Sequence, residues 1–153
     1  MPTIEATIET QSSPREMYEY ISQPWLWHEW HPNSIGATAN VETLSIGDTY
    51  TEAFEIKPFP LLPFTLRRKL HYRVIDAKPY HYWEVKAEAE NGSADIHFKY
   101  YFDAMDNGGK FTRVLKYQLH GPMRLLAPLL KRTNTRVSQQ AMENLQHKWN
   151  TKL

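Results

Sequence analysis

Cysteine is absent from this sequence, which excludes disulfides, thiolate nucleophiles and sulfur-ligated metal sites. Glycine is scarce. Its six residues form neither a phosphate loop nor a dinucleotide fingerprint, and no Gly-x-Ser-x-Gly elbow occurs. No stretch approaches the ~20 apolar residues that span a bilayer. The start, Met1-Pro-Thr-Ile-Glu, lacks the basic and then apolar run of a secretory signal. Net charge is +1, so no strong field draws nucleic acid or an anionic membrane. These absences together lead us to expect a cytoplasmic protein with no cofactor, no nucleic-acid partner and no stable membrane insertion.

What is present describes a globular chain. Of its 153 residues 41% are apolar and 23% charged, a balance that allows a buried core and argues against disorder. Aromatics reach 13%, with five Trp and nine Tyr, which bury large areas and can line a cavity as well as fill a core.

Local patterns place the elements. Ile4, Ala6 and Ile8 alternate with Thr3, Glu5, Thr7 and Glu9, as in a strand with one buried face. Ser13-Pro14-Arg15-Glu16 combines an N-cap, a first-turn proline and a capping box, so a helix starts there and ends near Pro24. A second short helix is expected through Trp25-Leu26-Trp27, ending before Pro32. Strands follow: Gly36 to Leu44, then one with Tyr50, Phe54 and Ile56 inward, then one with Leu66, Leu70, Tyr72 and Val74 inward.

Asn91-Gly92 signals a two-residue hairpin. Folding there pairs Ala89 with Ala94, Ala87 with Ile96, Val85 with Phe98 and Trp83 with Tyr100, all on one face. A slip by one residue would turn the whole set to the wrong side. After a turn at Asp106 to Gly109, the last strand carries Phe111, Arg113, Leu115, Tyr117 and Leu119 on one face. A long helix is expected from about Pro128, with Val137, Ala141, Leu145 and Trp149 as its apolar stripe. Consecutive strands with short connections form an antiparallel meander, and the long amphipathic helix is the element available to cover it. The fold class is therefore α+β.

This order, with Ser13-Pro-Arg-Glu16 opening the first helix, resembles the SRPBCC superfamily of START-like, helix-grip proteins. Trp30-His31-Pro32, Gly47, Trp83 and Thr112-Arg113 add to the likeness, which is nearest to the polyketide cyclase/dehydrase-like branch. The resemblance implies one START-like domain over residues 1–153, with a curved seven-stranded sheet gripping the C-terminal helix and two short helices after the first strand. It also implies an internal cavity for a lipid, polyketide or quinone-like molecule, and some members are cyclases or hydrolases.

Inward polar residues are informative because burial costs energy unless they are paired. Glu52 is in step with Tyr50 and Phe54, and Arg68 with Leu66 and Leu70, so the two could meet inside. His81 and Arg113 share the inward phase. With Phe54, Leu70, Tyr72, Trp83, Phe98 and Tyr100 they make up the expected ligand-binding set. Two readings stay open: polar groups that orient a ligand in an apolar pocket, or a Glu52–Arg68 pair that is solvated at the mouth or satisfies only itself. No catalytic residue is marked.

His28 and His31 lack a third ligand and the zincin spacing, so no metal site is expected. The outward stripe Arg67, Lys69, His71 and Arg73 lacks interleaved aromatics for a nucleic-acid platform. A turn at Ala77 to Tyr80 would set Glu84 and Glu88 opposite Arg73 and Lys69, which explains the stripe by cross-strand pairing.

The segment Pro58 to Phe64 holds two Phe, two Leu and three Pro. Loops at that end border the cavity entrance in the superfamily it resembles. Phe59, Leu61, Leu62 and Phe64 are therefore expected to form a lid on Leu126 and Leu130, the alternative being a homodimer or membrane contact. For the whole chain the leading expectation is a binding module for a small apolar or aromatic molecule. A cyclase- or hydrolase-like enzyme on the same cavity is the runner-up, and an interaction protein using apolar loops is the third.

Overall fold

In a computed structural model that describes residues 2–57, 61 and 63–150, β1 (Thr3–Thr10) leads into α1 (Pro14–Ile21) and a single 3-10 turn over Pro24–Glu29. The capping box is complete. Ser13 Oγ accepts the Glu16 amide hydrogen at 3.2 Å, and the Ser13 amide donates to Glu16 Oε1 at 3.4 Å. Met17 and Ile21 point inward and are fully buried. The Trp27 indole N–H donates to the Ile21 carbonyl at 2.8 Å, which fixes the turn against the end of α1.

Six further strands follow: β2 (Ser34–Ala39), β3 (Thr49–Ile56), β4 (Leu66–Lys78), β5 (Tyr82–Ala89), β6 (Ala94–Met105) and β7 (Gly108–Leu119). β2 is shorter than the Gly36 to Leu44 stretch that alternation predicted, and it begins two residues earlier. The seven strands pair antiparallel in the order β1-β7-β6-β5-β4-β3-β2, so the first strand lies beside the last. Ile4 opposes Leu115 and Ile8 opposes Phe111. At the start of β7 a Cβ on Gly108 would overlap the Thr10 carbonyl oxygen, so only glycine lets β7 run this close to the end of β1.

Trp83 opposes Tyr100, Val85 opposes Phe98 and Ala87 opposes Ile96, as the hairpin signal requires. The β4–β5 register differs from the sequence reading. β4 continues to Lys78, Tyr80 adopts a φ of 69°, and the His81 amide closes the turn on the Lys78 carbonyl at 2.9 Å. A bulge between Val74 and Asp76 then shifts the strands, so Glu88 faces His71 and Lys86 faces Arg73. The expected Arg73–Glu84 and Lys69–Glu88 pairs are therefore not formed. Glu84 instead meets His97 and Lys99 on β6, and Arg67 reaches Glu55 on β3 at 3.1 Å.

After a 3-10 turn at Gly121–Leu126, α2 (Ala127–Asn150) crosses the concave face. Its two halves are held differently. The C-terminal half buries Ala141, Leu145 and Trp149 on the core and is latched by hydrogen bonds. Asn144 donates to the Trp30 carbonyl at 2.9 Å, Gln146 to the Glu9 carbonyl at 3.1 Å, and Asn150 accepts from the Gln11 amide at 2.9 Å. The N-terminal half carries Leu130, Asn134, Val137 and Ser138 over a cavity.

Candidate ligand cavity

The concave face is packed solid at one end and open at the other, and side-chain size along two strands accounts for the difference. Inward residues on β5 run Trp83, Val85, Ala87, Ala89, while those on β6 run Tyr100, Phe98, Ile96, Ala94. Both series shrink toward the Asn91-Gly92 hairpin. At the wide end the rings pack on one another: Trp27 edges onto Tyr50, Tyr72 and Trp83 at 5.7–6.0 Å, and Tyr50 stacks on Tyr72 at 4.5 Å. At the narrow end Ala89 and Ala94 leave space between the sheet and α2.

That space is a cavity of about 90 Å³. Its apolar walls include Phe54, Ile56, Leu70, Ile96, Phe98, Leu115 and Leu119 from the sheet. Met123, Leu130 and Val137 close it from the helical side. The polar lining comprises His31, Asn33, Arg68, Ser93, Arg113, Tyr117, Asn134 and Ser138.

Five of the ten residues expected at the site, Phe54, Arg68, Leu70, Phe98 and Arg113, lie on this wall. Glu52, Tyr72, Trp83 and Tyr100 are buried behind it in the aromatic packing. His81 is a correction: it ends the β4–β5 turn, with its side chain exposed at the far end of β5 from the Ala89 wall. Inward phase does not carry past the end of a strand, and β5 starts only at Tyr82.

Glu52 and Arg68 do not pair. Glu52 stands opposite Leu70 and accepts the Tyr72 hydroxyl hydrogen at 2.7 Å. Arg68 stands opposite Phe54, and its Nη1 donates to the Arg67 carbonyl at 2.7 Å. The lid is corrected in part as well. Leu61 is 96% exposed and Phe64 about half exposed, so Leu61 packs on neither Leu126 nor Leu130. Phe59 and Leu62 lie outside the described residues.

Burial sets the electrostatics. Glu52, 2% exposed, has its carboxyl pushed above the usual range by desolvation. The Tyr72 hydrogen bond, the Ser34 hydroxyl and the Arg113 charge pull it back. Tyr100 is pushed up to about 12 by burial, against the opposing pull of Arg113. His31 is held well below its ordinary value, first by burial and then by the Arg113 charge. Its Nδ1 accepts the Asn33 amide hydrogen at 3.2 Å, so the neutral ring carries its proton on Nε2.

Acid stability should report on His31. Below pH 6.5 the unfolded chain protonates this imidazole while the fold resists, so stability falls as pH drops until the depressed folded value is reached. Replacing His31→Gln should flatten that part of a urea-denaturation profile taken against pH. An unchanged slope would place the acid sensitivity elsewhere.

Sequence reasoning passed over Asn33, Asn134 and Ser138, and weighed His31 only as a metal ligand and a junction residue, not as part of the cavity. Ser138 and Asn134 stand seven residues before Leu145 and Ala141, so helical periodicity carried a signal for both. His31 and Asn33 lie in an irregular junction where no periodicity applies. Among the described residues no three His, Asp or Glu side chains gather as metal ligands, and no helix is long and apolar enough to cross a membrane.

A seven-stranded antiparallel sheet curved around a long C-terminal helix defines the helix-grip fold of SRPBCC-type proteins. The chain belongs to the family described as polyketide cyclase / dehydrase and lipid transport, whose profile matches residues 1–149. Similar solved structures share the fold at low identity. Protein CV1439 from Chromobacterium violaceum is 12% identical with a TM-score of 0.70, the match covering 98% of each chain. TTHA0849 from Thermus thermophilus is 12% identical with a TM-score of 0.67, covering 95% of each. Major latex-like protein 151 from Panax ginseng is 13% identical with a TM-score of 0.60, covering 91% of this chain and 97% of its own. No curated protein gives a significant match.

Proposed function

We propose that this protein binds a small, largely apolar molecule between the hairpin end of the sheet and the N-terminal half of α2. The observation that carries this reading is the taper of β5 and β6. Two neighbouring strands step down in size together toward a wall in which apolar side chains predominate and a minority of polar groups converge, the composition typical of ligand pockets. Family membership supports the same reading.

Volume limits how binding proceeds. At about 90 Å³ the cavity is smaller than the ~150 Å³ cavity that admits benzene, and below the roughly 300–1,000 Å³ of drug-sized sites. A ligand of one ring or more therefore displaces part of the wall. Met123, Leu130 and Val137 are the side chains placed to yield, since the hydrogen bonds to the Trp30, Glu9 and Gln11 backbone hold the other half of α2.

Two measurements test the proposal. Native mass spectrometry of the purified protein should detect a co-purified small molecule, and the neutral dye N-phenyl-1-naphthylamine should fluoresce on binding. Filling the narrow end with Ala94→Leu should reduce dye affinity at least tenfold while circular dichroism stays unchanged. Equal dye binding by the filled variant would overturn the assignment of this cavity. Chemical conversion of the recovered molecule on re-addition would move the reading to the cyclase-like alternative.

A further inference from the structure

The cavity wall carries two guanidinium groups and, among the described residues, no carboxylate. Arg113 on β7 is 3% exposed. Its Nη1 donates to Ser138 Oγ at 3.1 Å, a neutral partner, and its Nε is buried with no acceptor. Near it also lie the neutral Tyr100 hydroxyl and two ring faces, Phe98 at 5.1 Å and Trp30 at 6.0 Å from the guanidinium carbon. No acid among the described residues forms an ion pair with it. Arg68 on β4 repeats the pattern: its Nη1 is used on the Arg67 carbonyl, and its Nε is buried with no acceptor.

Such an arrangement is costly without a partner. Arginine cannot shed its charge and offers five donors, and a buried charge is destabilising unless paired and hydrogen-bonded. Glu52 is the acid whose charge couples to Arg113, but its carboxylate lies behind the wall and is engaged by the Tyr72 hydroxyl. His31, whether neutral or protonated, has no negative charge to offer Arg113. A buried, aromatic-flanked guanidinium whose Nε lacks an acceptor suits a planar anion, because its fork geometry matches a carboxylate.

From this we infer that the ligand is an organic acid, an apolar body ending in a carboxylate that Arg113 receives inside the cavity. The inference rests on the cavity-binding reading above and narrows it. Arg68, on the same wall and less buried, adds positive potential but is not required for the primary contact.

Competition against bound N-phenyl-1-naphthylamine separates the two claims, because the dye is neutral. Matched pairs differ only at the end group: 3-phenylpropanoate with 3-phenylpropanol, and dodecanoate with dodecanol. The acids are expected to compete at least tenfold better than their alcohols. That preference should fall below twofold in Arg113→Met and persist, reduced, in Arg68→Met. Dye binding with acids competing no better than alcohols would overturn the acid assignment while leaving the cavity reading intact. Absence of dye binding would remove the cavity reading itself. The wild-type comparison needs no substitution, so the inference remains testable if Arg113→Met does not fold, and Arg113→Lys supplies a variant that keeps the charge. An acid preference undiminished in Arg113→Met would also overturn the assignment to this residue.

Discussion

Truncating Trp27 to alanine is expected to cost about 3–5 kcal/mol, the range for removing a large aromatic from a packed core. At roughly 2–4 °C per kcal/mol for a chain of this size, the melting temperature should fall by about 6–20 °C. Trp27 sits on the 3-10 turn, yet its ring is the hub of the concave face. It meets Tyr50, Tyr72, Trp83 and Tyr100 from the sheet and Trp30 from its own segment. Its indole N–H also holds the end of α1, so truncation opens a cavity and frees a helix terminus together. Thermal unfolding followed by tryptophan fluorescence and circular dichroism measures the loss. A drop of only about 1–2 °C would mean that the neighbouring rings collapse into the space, and that the solid end of the core does not depend on this residue.

The second large effect is at Glu52. Changing Glu52→Ala leaves the buried Tyr72 hydroxyl without its acceptor and removes the carboxylate whose charge acts on Arg113. The expected cost is about 3 kcal/mol, the upper end for a hydrogen bond to a charged group. Glu52→Gln keeps an acceptor oxygen for Tyr72 and should recover most of that loss. The pH dependence distinguishes the two contributions. Because the folded carboxyl is raised above its ordinary 4.5, its contribution is fully present below that value and is lost as pH rises through the folded value. The stability of Glu52→Gln relative to wild type should therefore improve as pH rises from about 4.5. Urea denaturation across that range checks it, and a difference independent of pH would show that Glu52 ionises as freely as an exposed carboxylate.

Local chemistry wrote much of the architecture in readable form. Ser13 and Glu16 cap α1 as their spacing demands, and Asn91-Gly92 places Trp83 opposite Tyr100. Each of these depends on residues a few positions apart, or on a register that a single turn imposes. The β4–β5 pairing failed the same treatment. The chain turns later than expected, at a residue with positive φ, and up to Val74 the register differs by two residues. That shift keeps those side chains on their own faces and so leaves no mark in alternation. The bulge after Val74 then changes the phase and brings Ala77 opposite Trp83.

The site divides along similar lines. Phase alone showed that Arg68 and Arg113 point inward, and the falling size of the β5 and β6 residues was present in the sequence as a record of where the cavity opens. Phase could not show whom a long side chain meets. Glu52 and Arg68 share a face, but Glu52 finds the Tyr72 hydroxyl and Arg68 reaches its neighbour's carbonyl.

By itself, then, the sequence determined the order of elements, the inward faces, the hairpin register and the taper, all set by covalent spacing and short-range hydrogen bonding. Only the tertiary structure decided that Arg113 meets Ser138 on α2, that His31 is enclosed beside Phe54, and that His81 stands outside. Those outcomes depend on where a helix and an irregular junction settle against the sheet. That placement comes from packing among residues far apart in the chain, and no local pattern encodes it.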